Sequence, residues 1–592
     1  MMRSWDGNAK VVSKLMMRLL PIQILLAAVG AVNGIVSSFF ASNYVGIDAM
    51  SAVGLYSPIS MLLTACSVML AGGSSILCGK YLGRNEQDKV QNVFSLNLLF
   101  SVMVAGLFVV LFLFMGLFDL TGVFTRDETV RPLFNRYLIG QVIGIFPLVL
   151  GNQLPDYLAM ENRQKRAMAA SLVYIGVNIV LNILFVQVLR LEAFGLALAS
   201  SLGLWVFFGI QAQHFLAHKS SLRLRLKGLK WREGFEMVRI GLPGAASNGY
   251  ETLRKIIVNR LLEVFVGSVG ISAVAASDSL LRIFWSVPTG MLAISRLMIS
   301  ICVGEEDRQT LTDVMRVMFR RFIPIMCALS AVIIVCAEPF TRLFFQDSSE
   351  PVYMMTVWGF RILPLCMPLS IICMHIVCYG QASGKRGLVH VLALLDGVVC
   401  VAAFTALLIR WMGINSVYVA NVLNGVTCVI VILVYSRLKT KHFPGNMDQL
   451  MVIPDGFGAD PDARIDISVR SMDEVLMVSR QITEFCRRRG IDERRVYHAS
   501  LCMEEMAGNI VEHGFKKDRK HHSIDIRVVH RNDDVIVMRI RDDCVPFDPE
   551  ERKELVDPKD FMKNVGIRMV YKSARSVEHQ SILGLNVLTI QI

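Results

Sequence analysis

The chain has 592 residues, 54% hydrophobic and 19% charged, with a formal net charge of +12 and a mean hydropathy of +0.50. An ordinary soluble domain sits nearer ~45–50% apolar, so a wholly soluble protein is excluded. Much of the positive charge falls in short loops between apolar runs, where Lys and Arg set membrane topology, so no nucleic-acid partner is expected.

Residues 1–18 are basic and precede the first apolar run without a small-residue cleavage site, so that run reads as a retained helix. Twelve apolar segments follow: 19–41, 52–79, 93–118, 136–159, 167–189, 193–216, 235–263, 271–301, 320–345, 355–379, 388–410 and 414–436. Each is long enough to cross about 30 Å of hydrocarbon, and in lipid each must be helical to satisfy its own backbone. Basic residues cluster before span one and after spans two, four, six, eight, ten and twelve. Arg84, Lys165, Arg225, Arg316, Lys385 and Lys439 represent the six later loops. The intervening loops are short or mixed in charge, as at Asp127-Glu128 and Asp347 to Glu350. Both ends of the membrane part are therefore expected on the cytoplasmic side. The thirteen Cys make no metal spacing and no disulfide framework.

The two halves repeat. Pro21 matches Pro243. Gly46…Ser51-Ala-Val matches Gly267…Ser272-Ala-Val. Gly83…Glu86-Gln-Asp88 matches Gly304-Glu-Glu-Asp307, and Glu161 to Arg166 matches Gln381 to Arg386. Six spans per repeat give both halves the same orientation, the arrangement of alternating-access transporters with a site between two lobes. The expected units are 1–18, a first lobe at 19–217, a basic loop at 218–234, a second lobe at 235–437, a linker at 438–462 and a tail at 463–592.

Span seven carries charge at membrane depth: Glu251, Arg254, Lys255 and Arg260. Such groups face a protein interior or a watery cavity and mark a transport path. Glu251 and Lys255, four apart, also suit a pair that only holds the bundle. Asp278 in span eight and Asp396 in span eleven are further acids within spans. Asp278 lies four before Arg282, so pairing is its simplest reading. In span one the nearest polar residue is Asn33.

The six-plus-six spans, Gly46-Ile-Asp-Ala-Met-Ser-Ala-Val-Gly54, and the Gly241-Leu-Pro start of span seven together resemble the multidrug and toxic compound extrusion (MATE) transporters over residues 15–440. The resemblance implies a V-shaped twelve-helix fold and efflux of cationic or amphipathic small molecules against H⁺ or Na⁺. One branch of the family has an acid eight positions after the span-seven proline; here that position is Glu251. Another keeps an Asp in span one, which this chain lacks. The added bases Arg254 and Lys255 suit the superfamily's flippases of anionic lipid-linked substrates.

Residues 440–462 are rich in Pro, Gly and Asp and read as a linker. Arg464 to Arg470 alternates as a strand. Ser471-Met-Asp-Glu474 is a capping box opening a helix to Gly490, and a second helix runs from about 492 to 513. Ser523–His530 and Val535–Asp542 form a hairpin around Asn532-Asp533-Asp534. A helix near 564–575 and strands near 577–582 and 586–592 close an α/β domain. Glu505 and Asn509 share one helix face, which His513 extends. The Lys516–Lys520 run reads as a solvated loop. Met503-Glu-Glu505-Met-Ala-Gly-Asn509, followed by Arg541-Asp542-Asp543-Cys544-Val-Pro546, resembles the GHKL ATP-binding (Bergerat) fold, nearest the anti-sigma-factor serine kinases.

That resemblance implies bound Mg-ATP, with Glu505 as general base, Asn509 as Mg²⁺ ligand and His513 beside it. It makes Asp542 the adenine-amine acceptor and Gly566 part of the phosphate lid, with Arg568 replacing a second lid glycine. It further implies a cytoplasmic protein partner of the anti-anti-sigma kind. The expected whole is a multi-pass bacterial inner-membrane antiporter for drug-like or metabolite substrates, with a cytoplasmic regulatory domain. A membrane-anchored serine kinase or sensor, and a flippase, are the alternatives.

Overall fold

The computed structural model describes residues 5–40, 44–45, 47–118, 120–123, 130–217, 220–345, 347–469, 471–515, 522, 524–531, 534–544, 565–582 and 584–592. The loop acids Asp127 and Glu128, the Lys516–Lys520 run, the Asn532-Asp533 turn and the Val545-Pro546 step lie outside these residues.

Among the described residues, eleven helices are long and apolar enough to cross a membrane, from Val12–Ser37 to Asn415–Thr440. Span seven is a continuous 35-residue helix, Trp231–Phe265. Its charges, not its length, set it apart from the eleven. Span eight, read in sequence as one segment, divides at Trp285 into Ser268–Phe284 and Ser286–Gly304. Span five ends in a π-helical turn at Ile183–Val188, and span eleven contains one at Leu395–Val399. Each loosened turn re-aims the side chains that follow it.

The lobes meet along span two. Helix Ile47–Gly83 packs on Trp231–Phe265 and on Ser286–Gly304. The seam is built from backbone in contact with backbone. A Cβ on Gly241 would overlap the Met69 carbonyl, and one on Gly73 would overlap the Met237 carbonyl. A Cβ on Gly304 would overlap the Lys80 carbonyl in the same way. Glycine alone permits such an approach.

The tail is one antiparallel sheet of five strands: β1 (Arg464–Val469), β2 (Ile524–His530), β3 (Ile536–Asp542), β4 (Ser576–Ile582) and β5 (Leu585–Gln591). The order is β1-β2-β3-β5-β4. Helices Met472–Arg488, Glu493–Asn509 and Val565–Ser573 pack on one face. The first begins as the capping box predicts: the Ser471 hydroxyl accepts from the Glu474 N–H at 3.4 Å. Period-two alternation decides the rest. Ile524, Ile526, Val528, Ile536, Met538 and Ile540 point into the apolar core with Met503 and Val478. The residues between them, Asp525, Arg527, Arg539 and Arg541, form a charged opposite face.

That face is not left to solvent. It rests on the membrane part beside the loop after span eight. The linker lies along the second lobe: Arg308 pairs with Asp448 at 3.3 Å, and Lys385 donates to the Met451 carbonyl at 2.6 Å.

Candidate functional site

The charged residues of span seven gather with acids of neighbouring spans. Lys255 Nζ lies 2.8 Å from Glu251 Oε1, one helical turn away. Both are partly exposed, at 37% and 42%, so the pair borders open space rather than sealed core. Arg254 donates to the backbone carbonyl of Asp396 in span eleven at 3.3 Å. The Asp396 carboxylate itself accepts from Asn424 at 2.7 Å. Asp278 closes no ion pair with Arg282 among the described residues. Lys255, then Arg254, then Arg282 are the charges that act on it. The i, i+4 ion pair expected for Asp278 is thus not formed, and the span-seven cations act on its carboxylate ahead of Arg282. Arg260 stands apart at the exposed end, paired with Glu263 at 3.0 Å.

The first lobe answers with amides. Asn33 accepts from Asn178, whose own oxygen accepts from Asn182. Asn182 Oδ1 is buried without a hydrogen-bond partner among the described residues. This cluster contains no carboxylate, so it offers no ordinary acid for proton exchange. Glu251, Asp278 and Asp396 belong to the second lobe, and the first lobe carries an acid of its own, Asp156, in helix Leu154–Met160.

In the tail, Glu505 and Asn509 lie on one face of helix Glu493–Asn509. The following turn, Ile510–Gly514, is π-helical and leaves His513 exposed. Helix Val565–Ser573 begins directly over Glu505: a Cβ on Gly566 would overlap its Oε2. Asp542 is buried at 5% exposure. Its Oδ1 accepts from Asn586 Nδ2 at 2.8 Å and from the Cys544 N–H at 3.0 Å. Burial raises its carboxyl above the usual value, against those hydrogen bonds. Cys544 fills the space beside Gly514, its Sγ 3.1 Å from where a Cβ would stand.

The parts fit a nucleotide in kind. Asn586 Oδ1 is buried without a partner among the described residues. The cradle at Gly566 is one a side chain would fill, and a helix N-terminus opens there.

Both halves of the membrane part match one family model, MatE, over residues 23–184 and again over 243–406. The chain belongs to the MatE family. The two matches start about 220 positions apart, the offset seen between the repeated landmarks. Residues 471–592 match the histidine kinase-like ATPase domain. Solved MATE structures share the membrane fold at low identity. A MATE family transporter in an outward-facing conformation is 20% identical with a TM-score of 0.67, over 73% of this chain and 96% of that one. A MOP superfamily transporter from Pyrococcus furiosus gives the same figures. A Vibrio cholerae MATE transporter is 16% identical at a TM-score of 0.67, over 74% and 98%. No curated protein matches the chain.

One set of residues escaped the sequence reading: the arginines of the tail's open face and the acids they meet. Arg541 contacts Glu305, Asp307 at 3.3 Å and Thr310 at 3.2 Å. Arg527 contacts Asp307, and Arg539 lies 3.2 Å from Glu305. Glu305 and Asp307 are 5% and 0% exposed. The signal was present in sequence: three Arg at alternate positions on two core strands, and an acidic Glu305-Glu306-Asp307 run among basic loops.

Burial by itself would raise the Asp307 carboxyl. Arg527, Arg541 and the Thr310 hydrogen bonds outweigh it and hold that carboxyl below the usual carboxylate range. A depressed carboxyl stabilises the contact above its unfolded value of about 4, and that stabilisation is lost as pH falls through it toward the folded value. Asp525 behaves oppositely. Burial pushes it up to about 6, so its share is present at low pH and lost as pH rises from about 4 through about 6. Protection of the amides of residues 305–308 should therefore be greatest near pH ~4 and fall on either side of it. Asp307→Asn should flatten the acid limb.

Proposed function

We propose that the chain is an ion-coupled secondary exporter of MATE type in a bacterial inner membrane, with both termini and the ATPase-like tail in the cytoplasm. The observation that carries this reading is Glu251, a carboxylate on the charged span-seven helix, paired with Lys255 and partly exposed to open space in a chain of the MatE family. Glu251 is the coupling group. A carboxylate at membrane depth needs a counter-charge. Lys255 supplies it at rest, and H⁺, Na⁺ or a cationic substrate competes for the same oxygens. Occupation by one excludes the others, which couples their movements. Asp278 and Arg254 tune that competition across spans, and Asn33 lines the opposite lobe.

The tail binds Mg-ATP in this reading and regulates export. Asp542 accepts the adenine amine, Asn509 holds the metal, and Gly566 with Arg568 meets the phosphates. Glu505 is placed to take a proton from an attacking hydroxyl, with a partner protein as acceptor of the phosphoryl group. His513, exposed on the following turn, is the remaining side chain of this reading.

The three bases gathered at one site, Arg254, Lys255 and Arg282, favour a second reading for the substrate: an anionic amphiphile of the lipid-linked kind. The Pyrococcus furiosus relative is itself described as having a binding pocket of reverse polarity that suggests a different function.

The test is full-length protein in proteoliposomes, with a fluorescent organic cation and imposed proton or sodium gradients. Gradient-driven export should fall at least about tenfold in Glu251→Gln, a rise of roughly 1.4 kcal/mol or more in the barrier. Export with unchanged ion dependence in that variant would remove Glu251 from the mechanism. Movement of an anionic lipid but not of the cation would select the second reading.

A further inference from the structure

The tail touches both lobes on the side where they are closed. On the second lobe, Arg527, Arg539 and Arg541 grip Glu305 and Asp307. This loop directly follows Gly304, whose close approach to Lys80 forms one end of the seam. On the first repeat, Lys14 Nζ lies 2.9 Å from Asp543 Oδ2. Asn162, in the loop after span four, lies against Gly584, its Oδ1 3.0 Å from where a Cβ would stand. A single rigid sheet thus spans the line along which the lobes must part.

The contacts are of a kind that resists sliding. Each arginine is largely buried, with side-chain exposures of 13–18%. Removing one partner from a buried pair strands the other charge and typically costs about 3–5 kcal/mol. The corresponding acid in the first repeat behaves differently: Glu86 pairs locally with Lys89 at 2.8 Å. The repeat therefore supplies two equivalent loops, and the tail has taken hold of one of them.

We infer that the ATPase-like tail is a lock on the transporter: docked, it staples the two lobes shut on its own side, and it must release before that side can open. The lock is built into the strand that carries the nucleotide-site acid. Along β3 and just beyond, Arg539, Arg541 and Asp543 face the membrane part, while Asp542 between them faces the pocket. The inference rests on the transport reading only for the need of the lobes to separate. Its test uses no substrate and no coupling ion, so failure of the lock and failure of the transport reading are distinguishable.

Two native thiols report the seam. Cys78 and Cys302 are 0% and 1% exposed and adjoin the packed pairs Gly79–Ser300 and Gly83–Ile301. Full-length protein in lipid nanodiscs is treated with a hydrophilic maleimide, and labelling of each cysteine is timed by mass spectrometry. Cys502, fully buried in the tail core, reports tail unfolding. In Glu305→Arg, Cys78 and Cys302 should label at least about tenfold faster, as expected when the closed population loses its clamp, while Cys502 stays protected. The exchanged pair Glu305→Arg with Arg541→Glu should return the rates toward wild type. Because Glu305 lies in the membrane part, its variant leaves the tail's own fold intact even if the Arg541 change does not. Amide exchange over β2, β3 and residues 305–308 is followed in parallel. Released amides with seam thiols at the wild-type rate would overturn the lock. So would amides that remain protected in Glu305→Arg, because the clamp would then not be these charges.

Discussion

Gly241→Val is expected to abolish closure of the lobes on the tail side. The Cβ would overlap the Met69 carbonyl, and both partners are helix backbone, so neither can turn aside as a side chain would. Ordinary overpacking costs about 1–3 kcal/mol because side chains give way. Here the helices themselves must separate. A penalty of roughly 3 kcal/mol on the closed state alone would lower its ratio to the open state by about a hundredfold. Cys78 and Cys302 should then react with hydrophilic maleimide at rates near those of exposed thiols, and gradient-driven export should fall below about a tenth of wild type. Gly249→Val is the control. Gly249 lies on the same helix, and a Cβ there meets nothing within 4 Å. If both variants behaved alike, the seam at Gly241 would have no special role.

Gly566→Val is expected to weaken Mg-ATP binding by at least about a hundredfold, or roughly 2.7 kcal/mol. The substitution fills the cradle over Glu505 and blocks the approach of phosphate to the helix N-terminus. It should do so without unfolding the tail, because the added side chain meets the Glu505 side chain and not the core residues Ile567 and Val570 of the same helix. Glu505→Gln is the informative partner. It keeps the shape of the side chain, so affinity should persist while any phosphoryl transfer stops. Calorimetry with the full-length protein reads the affinity of both. Unchanged affinity in Gly566→Val would place nucleotide outside this cleft and leave the tail as a docking module alone.

The lock and the nucleotide cleft share β3, and this gives the fusion of the two domains a physical sense. A transporter of this fold works by parting two lobes. A soluble domain hung on a flexible linker would not affect that motion. Here the linker is pinned to the second lobe through Asp448 and Lys385, and the sheet reaches across to Lys14 and Asn162.

Much of this was legible in the residues. The spans follow from apolar length, and the duplication follows from landmarks near one offset, which the two MatE matches reproduce. The tail strands follow from alternation, and its first helix from the Ser471 cap. Each of these is a local property, fixed by the rise and period of one element. The break of span eight at Trp285 was not legible, because an apolar run looks the same whether or not it bends.

Which charge meets which was also beyond the sequence. Asp278 has Arg282 four residues away, yet it forms no ion pair with it, and Lys255 and Arg254 act on it more strongly. Arg541 meets Thr310 from 231 positions away. The sequence by itself determined that one face of the tail sheet would be apolar and the other charged. Only the tertiary structure decided that the charged face would cover the Glu305–Asp307 loop and bridge two lobes. Periodicity specifies which way a side chain points from its own strand, whereas the partner it reaches depends on how separately formed units pack together.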